Sequence, residues 1–309
     1  MTVPPAGPRK STTVRKSAPW WLRAGFAAGS WLLPGLSLRH ATRLFGTPHA
    51  SSRRRASAAD LEGARTGTLA CGDERLTTYA WGDPAKQPVV LFVHGWSSFG
   101  LRCLPWVRPL REAGYAVVAF DHPGHGRSGG RESSLPLFVE ATVAVAARYP
   151  SLAALVGHSM GGAAAMIALS RGVRAGRAVL IAPAADLLAA GRRFGHRVGL
   201  HERLVRRMFE RFEQRAGVRL EQLTPQALAP ALATPALVVH DLADDEVPWE
   251  EGERYARYWP GARLLTVAGT GHHRIVIEPD TIDAGLRFLR GESPGVRVVS
   301  SLALPYGVA

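Results

Sequence analysis

The sequence predicts an α/β fold, a mostly parallel, doubly wound sheet with helices on both faces, a short helical cap and an N-terminal helical extension. The prediction rests on three features of the chain. Short, largely apolar runs recur at Val89–Val93, Tyr115–Phe120, Ala153–Val156, Ala178–Ile181, Ala236–His240 and Arg263–Val267, as strands buried on both faces require. Helical stretches separate them, among them Arg102–Ala113, Leu135–Tyr149 (stopped by Pro150) and Gly161–Leu169, and this alternation builds parallel sheets. The polar clusters His94-Gly95, Asp121, Ser159, Asp244 and His272 all fall at the carboxyl ends of strands, where such sheets bind ligands.

Residues 1–66 form a basic extension with eleven basic and two acidic side chains. Its start, Met1–Pro19, is rich in Pro, Ser, Thr and charge and is expected to be disordered. Trp20–Leu33 is an apolar run interrupted by Arg23 and ended by Pro34. It is shorter than the roughly 20 residues that cross a bilayer, and no small-residue cleavage site follows it, as a secretory signal would need. Two readings stay open: a helix packed on the domain, or one lying on a membrane surface. The amphipathic pattern continues through Leu36, Leu38, Ala41, Leu44 and Phe45, and Ser51–Arg55 reads as an exposed basic loop. The main domain is expected over 67–290, with Leu76–Trp81 as its edge strand and a cap at about 184–230. The tail 291–309 carries no assignment.

A chain of 309 residues with 46% hydrophobic and 20% charged side chains can bury one large core. Its two cysteines, Cys71 and Cys103, exclude a disulfide framework and lack metal or redox spacing, so both read as small buried residues. No His/Cys cluster suggests a metal, and no cofactor is implied. The net charge of +13 comes from the extension and from residues 187–223, which hold nine basic and four acidic side chains. No nucleic-acid motif accompanies that charge, so no nucleic-acid partner is expected. In 187–223, Leu204, Val205, Met208, Phe209 and Phe212 fall at helical spacing with arginines between them, which reads as a core stripe backed by a solvated face.

The chemistry centres on Gly157-His158-Ser159-Met160-Gly161, a G-x-S-x-G sequence between a strand and a helix. Such a turn holds its serine in a strained conformation above the sheet, beside a helix N-terminus. Serine is a poor nucleophile without a base in hydrogen-bond reach. An acid segment, His240-Asp241-Leu242-Ala243-Asp244-Asp245-Glu246-Val247-Pro248, and then Gly271-His272-His273 follow in the order such a site needs.

His94-Gly95, the serine turn, Asp-x-x-Val-Pro and Gly271-His272, in that order and spacing, resemble the α/β-hydrolase superfamily over about residues 67–290. The resemblance implies an α/β-hydrolase fold, with Ser159 as nucleophile, His272 as general base and Asp244 as its orienting acid. It implies an oxyanion hole of the Trp96 and Met160 backbone N–H groups. Asp245 is the rival acid, Asp186 is read as a helix cap, and His273 as a neighbour of the base. Asp241 stands where many members have glycine. His94, His122 and His125 are expected to be structural.

The expected function is hydrolysis of a carboxylic ester through an acyl-serine intermediate, on a small-molecule ester or acyl substrate. A thioesterase and a carbon–carbon bond hydrolase would use the same residues. A non-catalytic membrane-surface or protein-binding module is the alternative of a different class. A cytoplasmic location is expected, with membrane-peripheral contact through the N-terminal helices as the variant.

Overall fold

The computed structural model describes residues 18–298. The start expected to be disordered and the end of the tail thus lie almost wholly outside the described residues. The strands are β1 (Arg65–Cys71), β2 (Glu74–Trp81), β3 (Val89–Val93), β4 (Ala116–Phe120), β5 (Leu152–His158), β6 (Ala175–Ile181), β7 (Ala236–Asp241), β8 (Arg263–Val267) and β9 (Val296–Arg297). They form one sheet in the order β1-β2-β4-β3-β5-β6-β7-β8-β9. The strands from β4 to β8 run parallel, while β1, β2 and β9 pair antiparallel at the margins.

Alternate residues of β3 show why its run is continuously apolar. Val89, Leu91 and Val93 join one core with Phe138, Ala164 and Met166. Val90 and Phe92 join the opposite core with Trp106, Ile282 and Leu286. A strand covered on both faces has no side left for a polar residue.

Two expectations about the margins need correction. The edge strand is β1, and Leu76–Trp81 lies inside it, paired to both β1 and β4. β1 was hidden because it is short of large apolar residues and mostly exposed, so no periodic signal marks it. Ser51–Arg55 is a helix rather than a loop. It lies in α3 (Ala50–Ala58), where Ser52 and Ala56 are buried, and Arg53 donates to the Ser128 and Gly130 carbonyls at 3.0 and 2.5 Å. Its polar composition left no apolar periodicity to mark it.

The helices α1 (Trp20–Leu32) and α2 (Pro34–Gly46) precede α3, and α4 (Leu104–Glu112), α5 (Leu135–Ala146) and α6 (Met160–Ser170) follow between strands. The cap holds α7 (Leu187–Val198), α8 (Glu202–Ala216) and the short α9 (Pro225–Leu228). Then come α10 (Trp249–Tyr258), α11 (Gly271–Arg274) and α12 (Pro279–Leu289).

A third core joins the extension to the cap: Phe26, Leu38 and Ala41 pack with Phe194, Val205, Met208 and Phe209. Leu204, Val205, Met208 and Phe209 of the stripe read from α8 are therefore core, as their spacing indicated, whereas Phe212 is half-buried outside that core. Gly191 and Gly195 on α7 let α8 approach closely, since a Cβ there would lie 2.1 Å from the Phe209 ring and 2.6 Å from Val205. Arg203 reaches back from α8 to donate to the Ser30 carbonyl at 2.5 Å, with its guanidinium 4.4 Å from the centre of the Trp31 ring.

Leu38, fully enclosed in this third core, offers a test. Leu38→Ala should cost about 2–5 kcal/mol of packing, concentrated in the docking of α1 and α2. Limited proteolysis should then cut within residues 18–49 faster than in the wild type, while the circular dichroism of the sheet persists. An unchanged cleavage rate would show that the hairpin is held by other contacts.

Candidate active site

Ser159 joins β5 to α6 with φ 56° and ψ −124°, a left-handed backbone on a residue with a Cβ. Such a conformation is strained and needs its surroundings to hold it. Its N–H donates to the Ile181 carbonyl at 2.9 Å, and its carbonyl accepts from Gly162 at 2.9 Å. Close approach makes the turn possible. A Cβ on Gly157 would lie 2.6 Å from the Gly161 carbonyl oxygen, and one on Gly161 would lie 2.3 Å from that of Val93.

Ser159 Oγ is 2.9 Å from His272 Nε2, and His272 Nδ1 is 2.7 Å from Asp244 Oδ2. The three come from the ends of β5, β7 and β8 and are all nearly enclosed. Because Asp244 accepts from Nδ1–H, the neutral imidazole keeps Nε2 as an acceptor for the Ser159 hydroxyl. Burial opposes the charge of Asp244. Even so, His240 Nε2 at 3.5 Å, the His272 N–H and the Val247 N–H at 2.9 Å hold its carboxyl well below the usual carboxylate range. Asp244 therefore stays ionised beside His272.

The rivals are elsewhere. Asp245 is exposed. Asp186 caps α7 by accepting from the Ala189 N–H at 2.8 Å. His273 is exposed and pairs with Glu246 at 2.9 Å.

Trp96 and Met160 flank Ser159, Met160 as the first residue of α6. Among the described residues neither amide has a protein acceptor. The loop carrying Trp96 is held by histidines. His94 donates from Nδ1 to the Gly95 carbonyl at 2.8 Å and accepts the His122 N–H on Nε2 at 3.1 Å. His125 donates from Nδ1 to the Pro123 carbonyl at 2.9 Å and accepts the Ser97 N–H at 3.0 Å. Each ring uses one nitrogen as donor and the other as acceptor, so each must be neutral. Burial pushes His94 down to about 4 and His125 down to about 3.

Three positioning contacts were not read from the sequence. Asp241 accepts four hydrogen bonds: from Ala243 N–H at 2.8 Å, Thr270 N–H at 2.5 Å, Thr270 Oγ1–H at 2.6 Å and Gly271 N–H at 2.7 Å. It thereby rivets the loop of His272 to the loop of Asp244. His158 donates from Nε2 to the His272 carbonyl at 2.9 Å. His240 donates from Nε2 to the Val247 carbonyl at 2.9 Å, bracing the turn after Asp244. The departure from glycine at Asp241 was the one available signal.

Ser159 and His272 open into a groove of about 2130 Å³ that runs between the cap, α5 and the N-terminal helices. Leu187, Phe194, Met208 and Phe209 supply apolar wall, and Arg193, Arg211 and Arg215 are among its basic residues.

A family model described as the alpha/beta hydrolase family matches residues 90–284. The chain is 23% identical over 198 residues to the uncharacterized protein YqkD of Bacillus subtilis, covering 60% of this chain and 64% of that one. It is 38% identical over 100 residues to a monoacylglycerol lipase of Mycolicibacterium smegmatis, covering 29% and 36%. The alignments thus span less than two thirds of either relative's length. Among solved structures, a bacterial membrane phospholipase A superposes with a TM-score of 0.59 at 22% identity, over 88% of this chain and 96% of that one. A thioesterase domain from the curacin biosynthetic pathway superposes with a TM-score of 0.55 at 22% identity, over 74% and 99%. At those identities the superpositions show a shared fold.

The neutral histidines make stability depend on pH. His94 and His125 stay neutral when folded but take up a second ring proton near the ordinary 6.5 when unfolded. The unfolded state therefore binds more protons in acid, and their contribution is intact above about pH 6.5 and lost as the pH falls towards about 4. The melting temperature should fall across that window, and His125→Gln should flatten the fall. A melting temperature constant from pH 7 to pH 4 would overturn the assignment.

Asp241→Ala should free the 268–274 loop and leave three donors to find water, for a cost of about 1–3 kcal/mol. Amide exchange at Thr270 and Gly271 should accelerate relative to the strands. Unchanged protection there would show that the loop is held without Asp241.

Proposed function

The chain belongs to the alpha/beta hydrolase family, and on that premise we propose that it cleaves a carboxylic ester through an acyl-serine intermediate. The observation that carries this reading is the unbroken hydrogen-bond chain from Asp244 through His272 to Ser159, facing a partly apolar groove. Ser159 is the nucleophile, His272 the base and Asp244 the orienting carboxylate.

Ser159 Oγ attacks the ester carbonyl carbon as His272 Nε2 takes its proton, and the carbonyl oxygen becomes an oxyanion. The Trp96 and Met160 N–H groups donate to that oxyanion; removing one such donor typically costs about 3–4 kcal/mol of barrier. The imidazolium is stabilised by Asp244, which stays ionised. The ester C–O bond then breaks, and His272 returns its proton to the leaving alcohol. Water, deprotonated by His272, attacks the acyl-serine, releasing the carboxylic acid and restoring the Ser159 hydroxyl.

Leu187, Phe194 and Met208 give the acyl chain an apolar wall. The name of the Mycolicibacterium relative, a monoacylglycerol lipase, accords with a lipid-like ester.

A fluorophosphonate should label Ser159 stoichiometrically, and Ser159→Ala should abolish labelling with an unchanged melting curve. Wild-type folded protein that resists the reagent would overturn the reading. Asp244→Asn should lower kcat by about 10⁴-fold, because the imidazole loses its tautomer, while Asp245→Asn should leave kcat near the wild-type value. The reverse ranking, in steady-state assays with p-nitrophenyl esters, would move the acid to Asp245.

A further inference from the structure

Helix α1 is apolar over most of its circumference. Phe26 and Ser30 face the cap and are buried. At 100° per residue, Trp20, Trp21, Ala24, Gly25, Ala28, Trp31 and Leu32 share an outward arc of about 140°, and all are exposed. No charge interrupts that arc; Arg23 sits at its margin. Trp20, Trp21, Trp31 and Leu32 are 79%, 62%, 63% and 78% exposed, and Leu33 and Leu36 continue the patch around the corner into α2. Seven of the ten large hydrophobic residues exposed among the described residues fall between residues 20 and 44. Such clustering marks a face that meets a partner.

We infer that the exposed face of α1 and the α1–α2 corner dock on an anionic lipid surface, placing the groove mouth at the bilayer. Charge selects this occupant. Residues 1–59 contain ten basic side chains and no acidic one, and Arg9, Lys10, Arg15 and Lys16 lie just before Trp20. A second copy of the chain would oppose like charge to like charge, whereas anionic headgroups complement it. Tryptophan suits the boundary between headgroups and acyl chains, having an apolar body and a polar N–H. Among the described residues no helix is long and apolar enough to cross a membrane, so the helix would lie in the interface plane. Leu22, Gly35, Arg39 and Leu44, on the same two helices, line the groove that holds Ser159. A docked hairpin thus puts lipid next to the groove.

Vesicle sedimentation of the full chain tests this, using phosphatidylcholine alone or mixed with phosphatidylglycerol. The wild type should pellet with the anionic vesicles at least about tenfold more than with the neutral ones, and added salt should reduce the difference. The W20S/W21S/L32S variant should lose binding by about tenfold or more while keeping its melting temperature and its turnover of a soluble short-chain ester. Ser159→Ala should bind vesicles as the wild type does, so a failure of the hydrolase reading would leave docking intact. The inference is overturned if the wild type binds neither vesicle, or if the triple variant binds as well as the wild type. It is also overturned if light scattering shows a dimer that the same substitutions dissociate.

Discussion

The left-handed backbone of Ser159 is the constraint on which the rest of the site depends. A residue with a Cβ at φ 56° persists only where neighbouring contacts leave it no relaxed alternative. Gly157 and Gly161 let β5, α6 and the end of β3 approach to distances that side chains would block. The Ile181 carbonyl then fixes the turn from the adjacent strand. Strain in the backbone is thus sustained by α6 and by the strands on either side of β5, and its consequence is a hydroxyl raised toward His272.

Around that turn, precision comes from buried polar groups that bridge neighbouring loops. His94 and His125 bridge loop backbones as neutral rings, with one nitrogen donating and the other accepting. Asp241 gathers donors from the loops on either side of it, and Asp244 is supported by Glu246 and Val247 N–H groups on its other oxygen. Such supporting bonds hold the loops of Asp244 and His272 in a narrow geometry. They also explain why this region should loosen in acid, since a protonated ring cannot accept an amide.

The N-terminal helices have two faces with different surroundings. The inward face completes the core of the cap, so α7 and α8 are covered by chain that precedes the sheet. The outward face carries tryptophan and leucine into solvent beside a strongly basic stretch.

The sequence alone determined the alternating strands, because strands buried on both faces must be continuously apolar. Through its resemblance to the α/β-hydrolase superfamily it also pointed to Ser159, His272 and Asp244, with Asp245 left as a rival acid, and these three meet in the structure. Asp186 as a cap and four of the five apolar residues of the α8 stripe as core were legible from local pattern. Strand β1 and helix α3 were not, since their polar, small side chains carry no periodic signal and their stability comes from Arg53 and the β2 ladder. The role of Asp241 was equally hidden: its acceptors are satisfied by Thr270 and Gly271, about thirty positions away. Whether α1 packs on the domain or lies on a membrane surface could not be decided from its composition, which is mostly apolar apart from Arg23 and Ser30. Only the tertiary structure showed that one face of α1 packs on the cap while the other is exposed, because burial is a property of what lies opposite a residue, and that is set by the rest of the chain.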